Sequence, residues 1–124
     1  MIIGKIEDGL HPRISLDIAG TKGAEILSML VDTGFDMDAA LHYDFADQLG
    51  WEIYGVAEFD YANGQSDEEL LCRAQVNWHG QWQEIDVVLS ADEEPAIGTR
   101  LLKGCVMAMN FIEDTLTIDK PAHQ

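Results

Sequence analysis

The chain has 124 residues, 47% hydrophobic and 24% charged, and its 7 Lys and Arg stand against 23 Asp and Glu for a formal net charge of −16. That length suits one compact domain spanning residues 1–124 and leaves no room for a second. Phosphate backbones are bound largely through Lys and Arg, so no nucleic-acid partner is expected, whereas basic peptides are steered inward.

The N-terminal Met1-Ile2-Ile3-Gly4-Lys5 lacks a basic segment followed by an apolar stretch, so no secretion signal is read. No apolar run approaches the roughly 20 residues that a membrane helix needs, and no membrane partner is expected. Cys72 and Cys105 stand far apart without Cys-x-x-Cys spacing. Both fall in strand-like runs and read as buried free thiols, from which a cytoplasmic location follows.

Ile14-Ser15-Leu16-Asp17-Ile18 alternates apolar and polar residues with the period of a half-buried strand, and Gly20 to Gly23 turns the chain. Residues 26–31 are nearly all apolar and read as a strand covered on both faces, ending at Asp32-Thr33-Gly34. Phe45 and Leu49 lie four apart with Gly50 just beyond, which predicts a two-turn helix over residues 43–49. Alternation returns at Ala57, Phe59 and Tyr61 and again at Cys72, Ala74, Val76 and Trp78, with Ala62-Asn63-Gly64 between them as a hairpin signal. His79-Gly80 marks a second hairpin leading into Ile85, Val87 and Leu89, with Trp78 and Trp82 expected to pair across it. Near the end, Thr99 is placed to cap a short helix that Lys103 suits and Gly104 stops. Closing strands are expected around Val106, Ala108 and Asn110 and around Leu116 and Ile118. The expected fold is all-β, a small, mostly antiparallel closed barrel with two short helices.

Asp32-Thr33-Gly34 alone says little, because average residue usage puts that tripeptide in a chain this long roughly one time in forty. Its setting says more. An apolar strand delivers Asp32 to a point where it must leave the core, and a later apolar turn, Ala96-Ile97-Gly98, runs straight into a helix. With Leu30-Val31-Asp32-Thr33-Gly34-Phe35-Asp36, Leu49-Gly50, Tyr61-Ala62-Asn63-Gly64, Val76-Asn77-Trp78-His79-Gly80 and the run from Ile97 to Gly104, the chain resembles the retropepsin-like aspartic peptidases, specifically their small bacterial members. Order and spacing fit over nearly the whole length.

The resemblance implies an aspartic endopeptidase of the acid-protease barrel type. In this chemistry two carboxylates share one proton, so that one activates water and the other donates to the scissile carbonyl oxygen. The chain holds one such motif, Asp114-Thr115-Leu116 being the nearest approach to a second. A homodimer is therefore implied, in which Asp32 meets its counterpart across a two-fold axis. The resemblance assigns Thr33 a hydrogen bond across the dimer beneath the pair, Gly34 a close approach to substrate backbone, and Asp36 a hold on the peptide. By the same resemblance Phe35 would lie in the subsite beside the pair, Ala62, Asn63 and Gly64 would form a flap tip that closes over substrate, and Ile97 and Gly98 would line the site. It implies a protein or peptide substrate and no metal or organic cofactor.

Three positions depart from the family pattern. Phe35 is bulky where a small residue is usual. Thr99 follows the second glycine where the viral enzymes commonly carry a bracing Arg, with Arg100 next along. The flap tip has one glycine where viral flaps have several. These departures motivate the alternative of a catalytically inactive peptide-binding or dimerisation module that keeps the fold. His11, His42, His79 and His123 share no ligand spacing, and the acidic groups Asp36 with Asp38, Asp67-Glu68-Glu69 and Asp92-Glu93-Glu94 fit no calcium-loop pattern, so no metal site is read.

Overall fold

The computed structural model describes residues 1–60, 62–91 and 94–122; Tyr61 of the expected flap, Asp92, Glu93 and His123 lie outside them. In chain order the elements are β1 (Ile2–Glu7), β2 (His11–Gly20), β3 (Gly23–Val31), β4 (Ala39–His42), α1 (Asp44–Leu49), β5 (Ile53–Asp60), β6 (Ser66–Trp78), β7 (Gln81–Ser90), β8 (Ala96–Ile97), α2 (Thr99–Leu102), β9 (Val106–Asn110) and β10 (Thr115–Asp119). The all-β expectation with two short helices is met.

Strands follow one another in space as β5-β6-β7-β4-β8-β3-β2-β1-β10-β9, and a further pairing of β6 with β2 closes β2, β3, β8, β4, β7 and β6 into a ring. Pairing is mostly antiparallel, but β3 runs parallel to β8 and β4 parallel to β7. Inward residues fill the ring: Ile14, Leu16 and Ile18 of β2 are 2%, 1% and 0% exposed, and Cys72, Ala74, Val76 and Trp78 of β6 alternate inward in the same way. Each fully buried aliphatic side chain contributes about 1.5–3 kcal/mol relative to exposure. Beyond the ring, β1, β10 and β9 continue the sheet outward from β2.

Four expectations need correction. Residues 26–31 are not covered on both faces: Ile26 is 73% exposed and Ser28 is exposed, while Met29 and Val31 are buried, because among the described residues no layer packs on the outer face of β3. Trp78 and Trp82 do not pair. The two-residue turn of His79 (φ 54°) and Gly80 (φ 82°) sets Trp78 opposite Gln81 and Asn77 opposite Trp82, so the two indoles point to opposite faces. Thr99 is the first residue of α2 and not its cap; Gly98 holds the cap position, and the Thr99 hydroxyl donates to Phe35 O at 3.3 Å. Cys105 is only half-buried and precedes β9, whereas Cys72 is fully buried and its thiol is pushed up to about 12 by that burial.

Candidate active site

Asp32 stands at the end of β3, where the strand leaves the core. Val31, immediately before it, is 5% exposed, while Asp32, Thr33 and Gly34 are all exposed. The carboxylate is held from its own loop: Asp32 Oδ1 accepts from Gly34 N at 2.9 Å, and Asp32 O accepts from Phe35 N at 3.1 Å. A second segment, the junction of β8 and α2, grips the same loop from behind. Asp32 N donates to Ile97 O at 3.0 Å, Gly98 N to Asp38 O at 3.0 Å, and Thr99 N to Phe35 O at 2.8 Å. A Cβ at Gly98 would overlap the backbone oxygens of Phe35 and Met37, so this close approach requires glycine. The aspartate is thereby fixed by backbone groups from two distant parts of the sequence.

In front of the loop lies an open cleft of about 760 Å³, floored by Asp32, Gly34, Phe35 and Asp36 and walled by Ala57 and Phe59 of β5, Glu69 of β6 and Val88 of β7. A smaller cavity of about 250 Å³ adjoins it, again with Asp32 and Phe35 in its lining. The Phe35 ring is seated against Gly98, and the large cleft stays open beside it. Among the described residues the lining carries Asp32, Asp36, Glu58, Asp60 and Glu69 and no Lys, Arg or His. Partial burial, followed by the like charge of Asp67, raises the Glu69 carboxyl above the ordinary range; the Tyr43 hydroxyl, donating to it at 3.4 Å, opposes this.

No protein-family model matches the chain, and no curated protein does. Solved structures do. A retropepsin-like aspartic protease from Rickettsia conorii superposes with a TM-score of 0.66 at 19% identity, covering 95% of this chain and 88% of that one. EIAV protease complexed with the inhibitor HBY-793 superposes with a TM-score of 0.61 at 17% identity, covering 78% and 89%. The chain has the retropepsin fold. Identities this low carry the architecture alone, so what the retropepsin fold does here is argued from its residues.

Within that fold, Asp32, Gly34, Phe35 and Asp36 come together at the cleft. The Thr33 side chain is exposed and makes no hydrogen bond among the described residues. Ala62, Asn63 and Gly64 form the exposed turn of the β5–β6 hairpin, away from the cleft lining, with Gly64 at φ 82° and Asn63 Oδ1 accepting from Gln65 N at 3.0 Å. Ile97 is fully buried, and with Gly98 it supports the loop from behind instead of facing the cleft of the single chain. The bracing position falls to Thr99, which bonds Phe35, while Arg100 reaches Asp86 at 3.3 Å.

Sequence reasoning missed the cleft wall: Ala57, Phe59, Glu69 and Val88. The alternation of β5 puts Ala57 and Phe59 on one face, and their cross-strand partner positions, Glu69 and Asp67, follow from the hairpin register. Val88 joins them only because β4 runs parallel to β7, which no local pattern announces. Among the described residues no group of three or more His, Cys, Asp and Glu is arranged to hold a metal ion, and no helix is long and apolar enough to cross a membrane.

Proposed function

We propose that the chain is one half of an aspartic endopeptidase, in which Asp32 and its counterpart from a second copy share a proton and activate a water molecule. The observation that carries this reading is the exposed Asp32 carboxylate, locked by Gly34 N at 2.9 Å on a loop gripped from behind, facing a peptide-sized cleft in a retropepsin fold. One carboxylate activates water as general base. Its protonated partner donates to the scissile carbonyl oxygen, and the pair exchanges roles as the amine leaves. The chain brings one such aspartate, so the site is completed by a second copy across a two-fold axis.

Thr33 supports the same reading, since its exposed hydroxyl beside Asp32, without a hydrogen bond among the described residues, is suited to bond its counterpart across that axis. The exposed outer face of β3, with Ile26 at 73%, gives a second copy apolar surface to cover. The β5–β6 hairpin, whose Ala57 to Asp60 and Glu69 line the cleft, is suited to close on an extended peptide and exclude water. The acidic lining and the charge of −16 favour peptides carrying Lys or Arg.

Cleavage of an unstructured protein at mildly acid pH tests the proposal. Asp32→Asn removes the acid–base function while keeping the size and the hydrogen bond to Gly34 N, and it is expected to lower turnover on the order of a thousandfold or more with an unchanged melting temperature. Wild-type protein as inert as Asp32→Asn across pH would leave the inactive binding module as the better account.

A further inference from the structure

The β5–β6 hairpin divides at a defined point. From Leu70 to Cys72 β6 pairs with β7 as well as β5, whereas among the described residues Ser66 to Glu69 pair only with β5, so residues 57–60 and 66–69 form a two-stranded arm with no third described strand beside it. At its root the register slips. Ile53 pairs with Cys72 and Gly55 with Leu71, leaving Tyr54 as the extra residue of a β-bulge.

The bulge sends the Tyr54 side chain into a charged cluster. Its hydroxyl donates to Asp86 Oδ1 at 2.5 Å, and its ring lies under the Arg73 guanidinium, 4.1 Å from the ring centre. Arg73 also stands 3.9 Å from Asp86 and 3.6 Å from Glu84. The second carboxylate oxygen of Asp86 accepts from Arg100 at 3.3 Å, and Asp86 N donates to Asp38 Oδ2 at 3.0 Å. Asp38 ends the loop that begins at Asp32, and Arg100 adjoins Thr99, which grips Phe35. Asp86 thus ties the root of the arm to both segments, through its carboxylate to Arg100 and through its backbone N–H to Asp38.

We infer that Tyr54 and Asp86 are positioning residues forming a latch at the root of the arm, which sets its angle over the cleft and couples its opening to the loop carrying Asp32. Swinging the arm about Tyr54 and Gly55 breaks the Tyr54–Asp86 hydrogen bond. Gly55 has open space where a Cβ would stand, and glycine accepts a wider range of backbone angles than any other residue. The consequence for substrate rests on the peptidase reading; the mechanical coupling does not.

Tyr54→Phe removes the hydroxyl and keeps the ring under Arg73. In the full chain, amide exchange over 57–60 and 66–69 should then quicken about three- to tenfold, the factor that corresponds to the net loss of one hydrogen bond, while amides of the closed ring are unmoved. Peptide cleavage should show KM raised by a similar factor with kcat nearly constant, and Asp86→Ala should abolish any further effect of Tyr54→Phe. Unchanged arm exchange in Tyr54→Phe, or the same acceleration persisting in the Asp86→Ala background, overturns the latch. If the double variant does not fold, the conservative Tyr54→Phe decides alone. Exchange is read whether or not the chain cleaves peptides: a responsive arm above an inert Asp32 defeats only the peptidase reading, and an unresponsive arm on a cleaving enzyme defeats only the latch.

Discussion

Asp38 shows how one residue of the loop responds to its surroundings. Partial burial raises its carboxyl above the ordinary aspartate range; the Asp86 backbone N–H and Arg100 oppose the shift, and the Asp86 carboxylate adds to it. A carboxyl raised in the folded state binds its proton more tightly there than in the unfolded chain. Stability from this group is therefore greatest below the unfolded value and falls as pH rises through the folded one. Asp38→Asn keeps an acceptor for Asp86 N–H and removes the charge. It should make the chain more stable at neutral pH and flatten the loss between mildly acid and neutral pH, as read from urea midpoints. A variant whose midpoints track the wild type at every pH would refute this.

At the scale of elements, the β6–β7 hairpin is the most directly encoded part of the fold. His79 and Gly80 both take positive φ, the geometry whose twist matches the flanking strands. Gly80→Ala should cost about 1–2 kcal/mol, measured by chemical unfolding; an unchanged stability would mean that the turn relaxes into another type. Elements of this kind were legible because local chemistry decides them: the period-two runs of β2, β6 and β7, and Gly50 at φ 78° closing α1. β1 was hidden by Gly4, which faces inward in place of a side chain because a Cβ would strike Arg13 O. β4 and β8, of four and two residues, are defined by long-range partners and leave no period to read. Of the candidate site, the Asp32 loop was legible as a motif between an apolar strand and a glycine turn, whereas the cleft wall depends on how β5, β6 and β7 are brought over that loop. The Thr99 hydroxyl went to Phe35 instead of the helix end, since that carbonyl lies within reach only after β8 pairs with β3.

For the whole molecule, charge is the chief obstacle to assembly. Two chains bring twice −16, or −32, to one particle, and this self-repulsion opposes dimerisation. Salt shortens the reach of exposed charges to about 8 Å at physiological ionic strength, and lowering pH toward the sequence pI of 4.2 removes charge outright. Sedimentation should show dimers tightening with added salt and with mild acid, with activity rising in parallel; a monomer indifferent to both would contradict the proposed assembly. The central claim is the meeting of two aspartates, and it is tested most directly by a crystal structure of the chain with a non-cleavable peptide analogue. The account predicts a two-fold dimer with the Asp32 carboxyl groups about 3 Å apart and the analogue's central hydroxyl between them. A lone chain, or a dimer holding those carboxyl groups beyond hydrogen-bonding reach, would contradict it.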